Sequence, residues 1–188
     1  ACLAGWVAWC PAAVAEEVAP PASPKADQAT QSLLRSLAAP ASEAAAESDF
    51  TRLKTVYAGR HPELVQQLFL FARTGRGTRA GMLPGVVIQA LEVSNRDLVL
   101  GVSPWLEVAD EASRLKARNW LGQVEREGDT QRLDYSTYAS ILADPRGHPV
   151  QPLVRHMVAV DAAAARDVLN EVFGEEKAAT LLRETAVP

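Results

Sequence analysis

Thiols, aromatic rings and histidines are scarce in this chain, and each shortage removes a class of structure or chemistry. Both cysteines, Cys2 and Cys10, lie in the N-terminal apolar stretch, so disulfides cannot hold a core together and no cysteine pair offers metal spacing in the body of the chain. Aromatics are only 6% of the residues while alanine recurs throughout, which disfavours a β-sandwich of bulky alternating side chains and favours close-packed helices. The histidines, His61, His148 and His156, are far apart, and none belongs to an H-E-x-x-H pair. Excess positive charge is also lacking: 19 basic against 23 acidic residues give −4, so general affinity for nucleic acid or anionic lipid is not expected. No uncharged stretch reaches the roughly 20 residues that cross a bilayer as a helix. Paired runs of strict apolar and polar alternation are missing as well, which argues against a sheet.

What is present begins with an uncharged, apolar stretch over residues 1–15 that ends in Ala13-Val14-Ala15, small residues of the kind a signal peptidase reads. Export, to a periplasm or out of the cell, is the expectation; without such a signal the chain is cytoplasmic. A lipid anchor on Cys10 is disfavoured by Trp9, which stands where a small residue is needed. Residues 16–26 carry three prolines and no apolar periodicity, as an extended tether does, and a folded region is expected over residues 27–188. That length suits one core or a few stacked helical units.

Helical punctuation is regular from there. Asp27 caps a helix to Ala38 with Leu33, Leu34 and Leu37 on one face, and Ser42 opens a second with Phe50, Leu53 and Tyr57 before Gly59. His61 and Pro62 open a third, where Val65, Leu68, Phe69 and Ala72 stand at i, i+3, i+4 and i+7; Leu64 and Phe71 widen that stripe and predict burial on two sides. Val87, Ile88 and Leu91 mark a helix starting near Thr78 or at Pro84. Residues 95–107 form another, lined by Leu98, Val102 and Trp105, which Pro104 should kink. Ala117, Trp120, Leu121 and Val124 define the clearest helix, and polar residues 125–134 separate it from a short one over Tyr135–Leu142. Asp144-Pro145-Arg146-Gly147 is a turn. Leu153, Met157 and Val160 line the next helix; Asp161 caps one carrying Ala165, Val168, Leu169 and Val172 before Gly174. Glu171, Glu175 and Glu176 read as a solvated end. The class is all-α.

One stretch goes further. An aspartate in the turn, Asp110, is followed by Arg114, Ala117 three later, Leu121 seven later and Gly122 eight later. The pattern resembles the inner helix of a HEAT repeat, and the segment with Pro104 before it is similar to that family's proline-kinked first helix. The likeness is clear over residues 95–125. The pairs 62–93 and 149–174 keep the two-helix shape without the arginine, and 126–148 reads as an insertion. The resemblance implies a short right-handed α-solenoid of antiparallel helical hairpins presenting a concave face to a protein partner; an irregular helical bundle is the alternative.

Chemical motifs are weaker. Gly75-Arg76-Gly77-Thr78-Arg79-Ala80 fits G-x-G-x-x-A, yet a helix precedes it where a dinucleotide fold needs a strand. Arg73, Arg76 and Arg79 crowd the same loop and offer guanidinium forks to a phosphate or carboxylate, against the plainer reading of a solvated loop. Gly101-Val102-Ser103-Pro104-Trp105 imitates a nucleophile elbow without its second glycine, inside a helical pattern. Histidines beside prolines at helix entries suit capping or exposure, and His156 beside Arg155 suits a solvent-facing position. Trp105 and Trp120 suit either binding or core packing. No catalytic, metal or cofactor set is expected. An exported, non-enzymatic interaction module leads; an anion- or nucleic-acid-binding domain using the arginine loop, and a hydrolase built on scattered carboxylates, follow.

Overall fold

Short side-chain oxygens begin several of the helices in the computed structural model, which describes residues 24–75, 77–108, 110–124 and 135–185. Asp27 accepts from the Ala29 N–H at the start of α1 (Gln28–Ala38), and Ser42 accepts from Ala45 at the start of α2 (Glu43–Val56). Then come α3 (His61–Thr74), with Pro62 in its first turn where a missing N–H costs nothing, and α4 (Thr78–Ala90). Ser94 caps α5 (Asn95–Val102), which tightens into a 3₁₀ turn over Ser103–Leu106; the proline-bearing segment changes helix type there, with Pro104 in the first turn of the 3₁₀ segment. The remainder is α6 (Glu111–Val124), α7 (Tyr135–Ala143), α8 (Gln151–Val160), α9 (Ala162–Phe173) and α10 (Glu175–Thr185). No strand occurs among the described residues, and none of their helices is long and apolar enough to cross a membrane. The signal-like residues 1–15, most of the tether, and residues 125–134 lie outside the described set.

Two apolar cores meet at α3. Leu64, Leu68 and Phe71 face α1, α2 and α4 together with Leu34, Leu53, Tyr57 and Val87, whereas Val65 and Phe69 enter a larger core with Val99, Trp105, Leu121, Tyr138 and Leu169. The double-width stripe of α3 is therefore buried on two sides, as its sequence predicts. Its closest partner is α5, because Gly101 brings the backbones together: a Cβ there would stand 2.6 Å from the Pro62 carbonyl oxygen.

Polar groups hold the first helix to the body. The Asp27 N–H and the Gln31 amide both donate to Gln67 Oε1, at 2.9 and 3.2 Å, and Gln67 donates on to the Lys25 carbonyl. Thr30 and Tyr57 hydroxyls meet at 2.8 Å beneath them. Arg96 of α5 donates to the Ser140 and Asp144 carbonyls at the end of α7, a guanidinium placed where a helix dipole favours positive charge.

Two expectations need correction. Val160 does not line α8; it is half exposed at the helix end, and Val154 and Met157 are the side chains buried beside Leu153. The C-terminal acidic stretch is also more than an end: Glu175 and Glu176 are exposed but form the first turn of α10, whose Ala178 is buried and whose Leu181 and Leu182 pack on the larger core. Carboxylates at a helix start complement its dipole, so a charged segment became a helix N-terminus.

Candidate functional site

The arginine loop comes first, because the sequence points to it. Arg73, in the last turn of α3, is committed within the molecule: it donates to Asp110 at 3.1 Å and lies over the Trp105 ring, 5.2 Å from its centre. Asp110 in turn accepts from the Ser113 hydroxyl; that bond, assisted by Arg73, holds its carboxyl below the usual range. Lys116 donates to the Ala72 carbonyl at the end of α3, and burial, then the nearby Arg73, lower its ammonium's pKa. Arg79 is exposed on the first turn of α4, and Arg76 lies outside the described residues. Asp110 thus joins α3 to α6, and Arg73 acts in that joint.

The remaining motifs resolve structurally. Gly77 precedes α4 directly and α3 precedes the loop, so the glycine motif has no strand before it. Gly101 serves the α3–α5 approach, and Ser103 is buried, donating to the Leu100 carbonyl. His61 stands 3.6 Å from Asp97, while His148 lies in the turn before α8. His156 is not solvent-facing as its neighbour Arg155 suggests; it is 8% exposed, with its ring 6.4 Å from that of Tyr138. No group of three potential ligands fit for a metal occurs among the described residues. Trp105 is wholly buried, its ring tilted against that of Phe69 at 4.9 Å between centres, and Phe69 also meets Trp120 edge-on at 5.2 Å. Trp120 is half-buried and touches both cores, so it joins them, while Trp105 belongs to the larger one.

Two surface features were not read from the sequence. The first is apolar: Met82 and Val86 on α4 are 63% and 56% exposed, and Leu115 on α6 is 58% exposed. Met82 and Val86 stand one turn apart, off the stripe by which Ala80, Pro84 and Val87 face inward, and Leu115 lies opposite the buried Ala117. A helical wheel carries that signal once the helix start at Thr78 is known. The second is a groove of about 310 Å³ between α6 and α8, lined by apolar Leu106, Pro152 and Ala159 and by polar Glu107, Arg114, Arg118, Arg155 and His156. Arg155 pairs with Glu107 at 2.6 Å, and Arg114 donates to the Val108 carbonyl at 2.8 Å. The i, i+4 spacing of Arg114 and Arg118 is visible in sequence; Arg155 reaches them only through the fold.

Comparison with protein-family models, with curated proteins and with solved structures finds no match for the chain.

Proposed function

We propose that this chain is an exported, non-enzymatic protein-interaction module, in which stacked helical hairpins of the HEAT kind offer their second helices to a partner. One observation carries the reading: Met82, Val86 and Leu115, three large apolar side chains left more than half exposed, all sit on α4 and α6, the second helices of consecutive pairs. Scattered single apolar residues need no explanation, but Met82 and Val86 form a two-residue stripe on one helix. The packing of α3 on α5 suits the stacking of successive first helices, and α6 on the turn before it suits a hairpin.

The helix bearing the stripe is intrinsically weak. Within thirteen residues α4 contains Gly81, Pro84 and Gly85, each of which lowers helix stability, and it is retained by burying Ala80, Pro84 and Val87. A weakly self-supporting helix with an adaptable methionine outward can adjust to what docks on it.

The test is chemical cross-linking in extract of the native source with the full chain, compared with M82E, V86E and L115E. A protein recovered with wild type and lost with each variant, while V56E and V160E retain it, is the expected result. Equal recovery across all five variants would refute the assignment of this face. Export is checked separately: cleavage after Ala15 leaves an exported mature protein starting at Glu16, and a protein that stays in the cytoplasm with residues 1–15 retained would contradict it.

A further inference from the structure

The groove between α6 and α8 has a charge opposite to that of the chain. Among the described residues its walls bring three guanidinium groups to one carboxylate, whereas the whole chain carries −4, and of the three Arg114 is engaged by the Val108 carbonyl. Glu107 neutralises part of one of them, Arg155, but a guanidinium has five N–H donors and a carboxylate takes two at most in a fork. Arg155 also remains 48% exposed, with donors available to the groove. Arg118 is exposed on α6, one turn beyond Arg114 and on the same face.

We propose that this groove binds an acidic peptide segment of a partner protein, with Arg118 and Arg155 gripping its carboxylates from opposite walls. The chemistry is that of planar forks meeting planar oxyanions, and the ion pair with Glu107 holds the Arg155 guanidinium at the groove in advance, so less side-chain freedom is lost on binding. The apolar lining of Leu106, Pro152 and Ala159 suits a segment whose acidic residues alternate with aliphatic ones.

Guanidinium forks meet phosphate as well as carboxylate, but a built phosphate site adds backbone N–H groups at a helix start, and the first turn of α8, which borders the groove, presents Pro152, a residue without one. A long polyanion such as nucleic acid would meet the repulsion of the negative chain on either side of so short a basic patch. An acidic peptide needs only the patch. The inference is separate from the α4–α6 face: it uses other residues, and its failure leaves that face standing.

Fluorescence anisotropy with the full chain and a labelled peptide of alternating Glu and Leu, at low ionic strength, tests it. Wild type binds the peptide and not its Gln-for-Glu counterpart. R118E weakens binding by roughly ten- to hundredfold, as loss of a charge-assisted fork requires, and R155Q does so by a smaller factor because Glu107 already neutralises part of that charge. R166E, the same charge change on the exposed face of α9, stays within about twofold of wild type, which separates the groove from net charge. Arg118 is exposed, so circular dichroism of R118E matches wild type and loss of fold is ruled in or out directly. Equal binding by wild type and R118E, or equal loss in R118E and R166E, overturns the proposal. So does displacement of the peptide by inorganic phosphate at equal concentration, which would make the groove a small-anion site.

Discussion

Replacing Gly101 by alanine sets two effects of opposite sign against each other, and the structure decides between them. In an isolated helix the change is favourable by about 1 kcal/mol, because glycine loses more backbone freedom on folding than alanine does. In α5 the new methyl group would stand 2.5 Å from Val65 Cβ and 2.6 Å from the Pro62 carbonyl oxygen. Neither neighbour is the free end of a flexible chain. Val65 is wholly buried and β-branched, and the carbonyl belongs to the backbone of α3, so α3 and α5 must separate. Overpacking of that kind costs about 1–3 kcal/mol and the strain falls on the helix shared by both cores. Set against the propensity gain, and with direct backbone contact placing the strain at the upper end, G101A is expected to lose about 1–2 kcal/mol. For a domain of this size that lowers the melting temperature by roughly 2–8 °C. Gly81 is the internal control, since a Cβ there meets nothing within 4 Å, and G81A should gain up to about 1 kcal/mol. Calorimetry and urea titration of both variants measure the contrast. A G101A protein as stable as wild type, or more so, would refute the close approach of α3 and α5.

Three other outcomes follow from the polar groups. Q67L removes the acceptor shared by the Asp27 N–H and the Gln31 amide and should cost about 1–3 kcal/mol, with faster amide exchange along α1 as the site-resolved check. Asp27 has its carboxyl held below the ordinary 3.8, chiefly by the Thr30 hydroxyl, so its charge contributes stability that is complete above the unfolded value and lost as pH falls through the lower folded one. D27N keeps a capping side chain but not that charge; its urea midpoint should fall less than that of wild type between pH 7 and about pH 3, and parallel curves would contradict the assignment. R96A withdraws charge-assisted donors from the end of α7, where Arg96 meets the Ser140 carbonyl at 2.9 Å, and should cost about 1.5–3 kcal/mol by chemical denaturation.

Local rules carried much of the fold into the sequence. Asp27, Ser42 and Asp161 could be read as caps because each needs only its own first turn, and each accepts from that turn. The double burial of α3 was legible because Leu64 and Phe71 broaden a stripe already set by Val65, Leu68 and Phe69. The helix α10 was hidden by Glu175, Glu176 and Lys177, which look like a solvated end, although Ala178, Leu181 and Leu182 keep the i, i+3, i+4 spacing behind them. His156 and Arg73 show the other limit. Burial of the one and commitment of the other depend on residues from other helices, Tyr138 beside His156 and Asp110 beside Arg73, and spacing along the chain does not announce such pairs. The basic groove has the same origin, since its two walls come from α6 and α8.

Light-activated cross-linking from single positions tests the interaction reading most directly. With a benzophenone side chain in place of Val86 or Leu115, irradiation in the native environment should yield adducts to the same foreign protein from both positions. The same group in place of Val160, exposed to a similar degree but at the end of α8, should yield none. Adducts from Val160 alone, or none from Val86 and Leu115, would contradict a docking surface on the second helices.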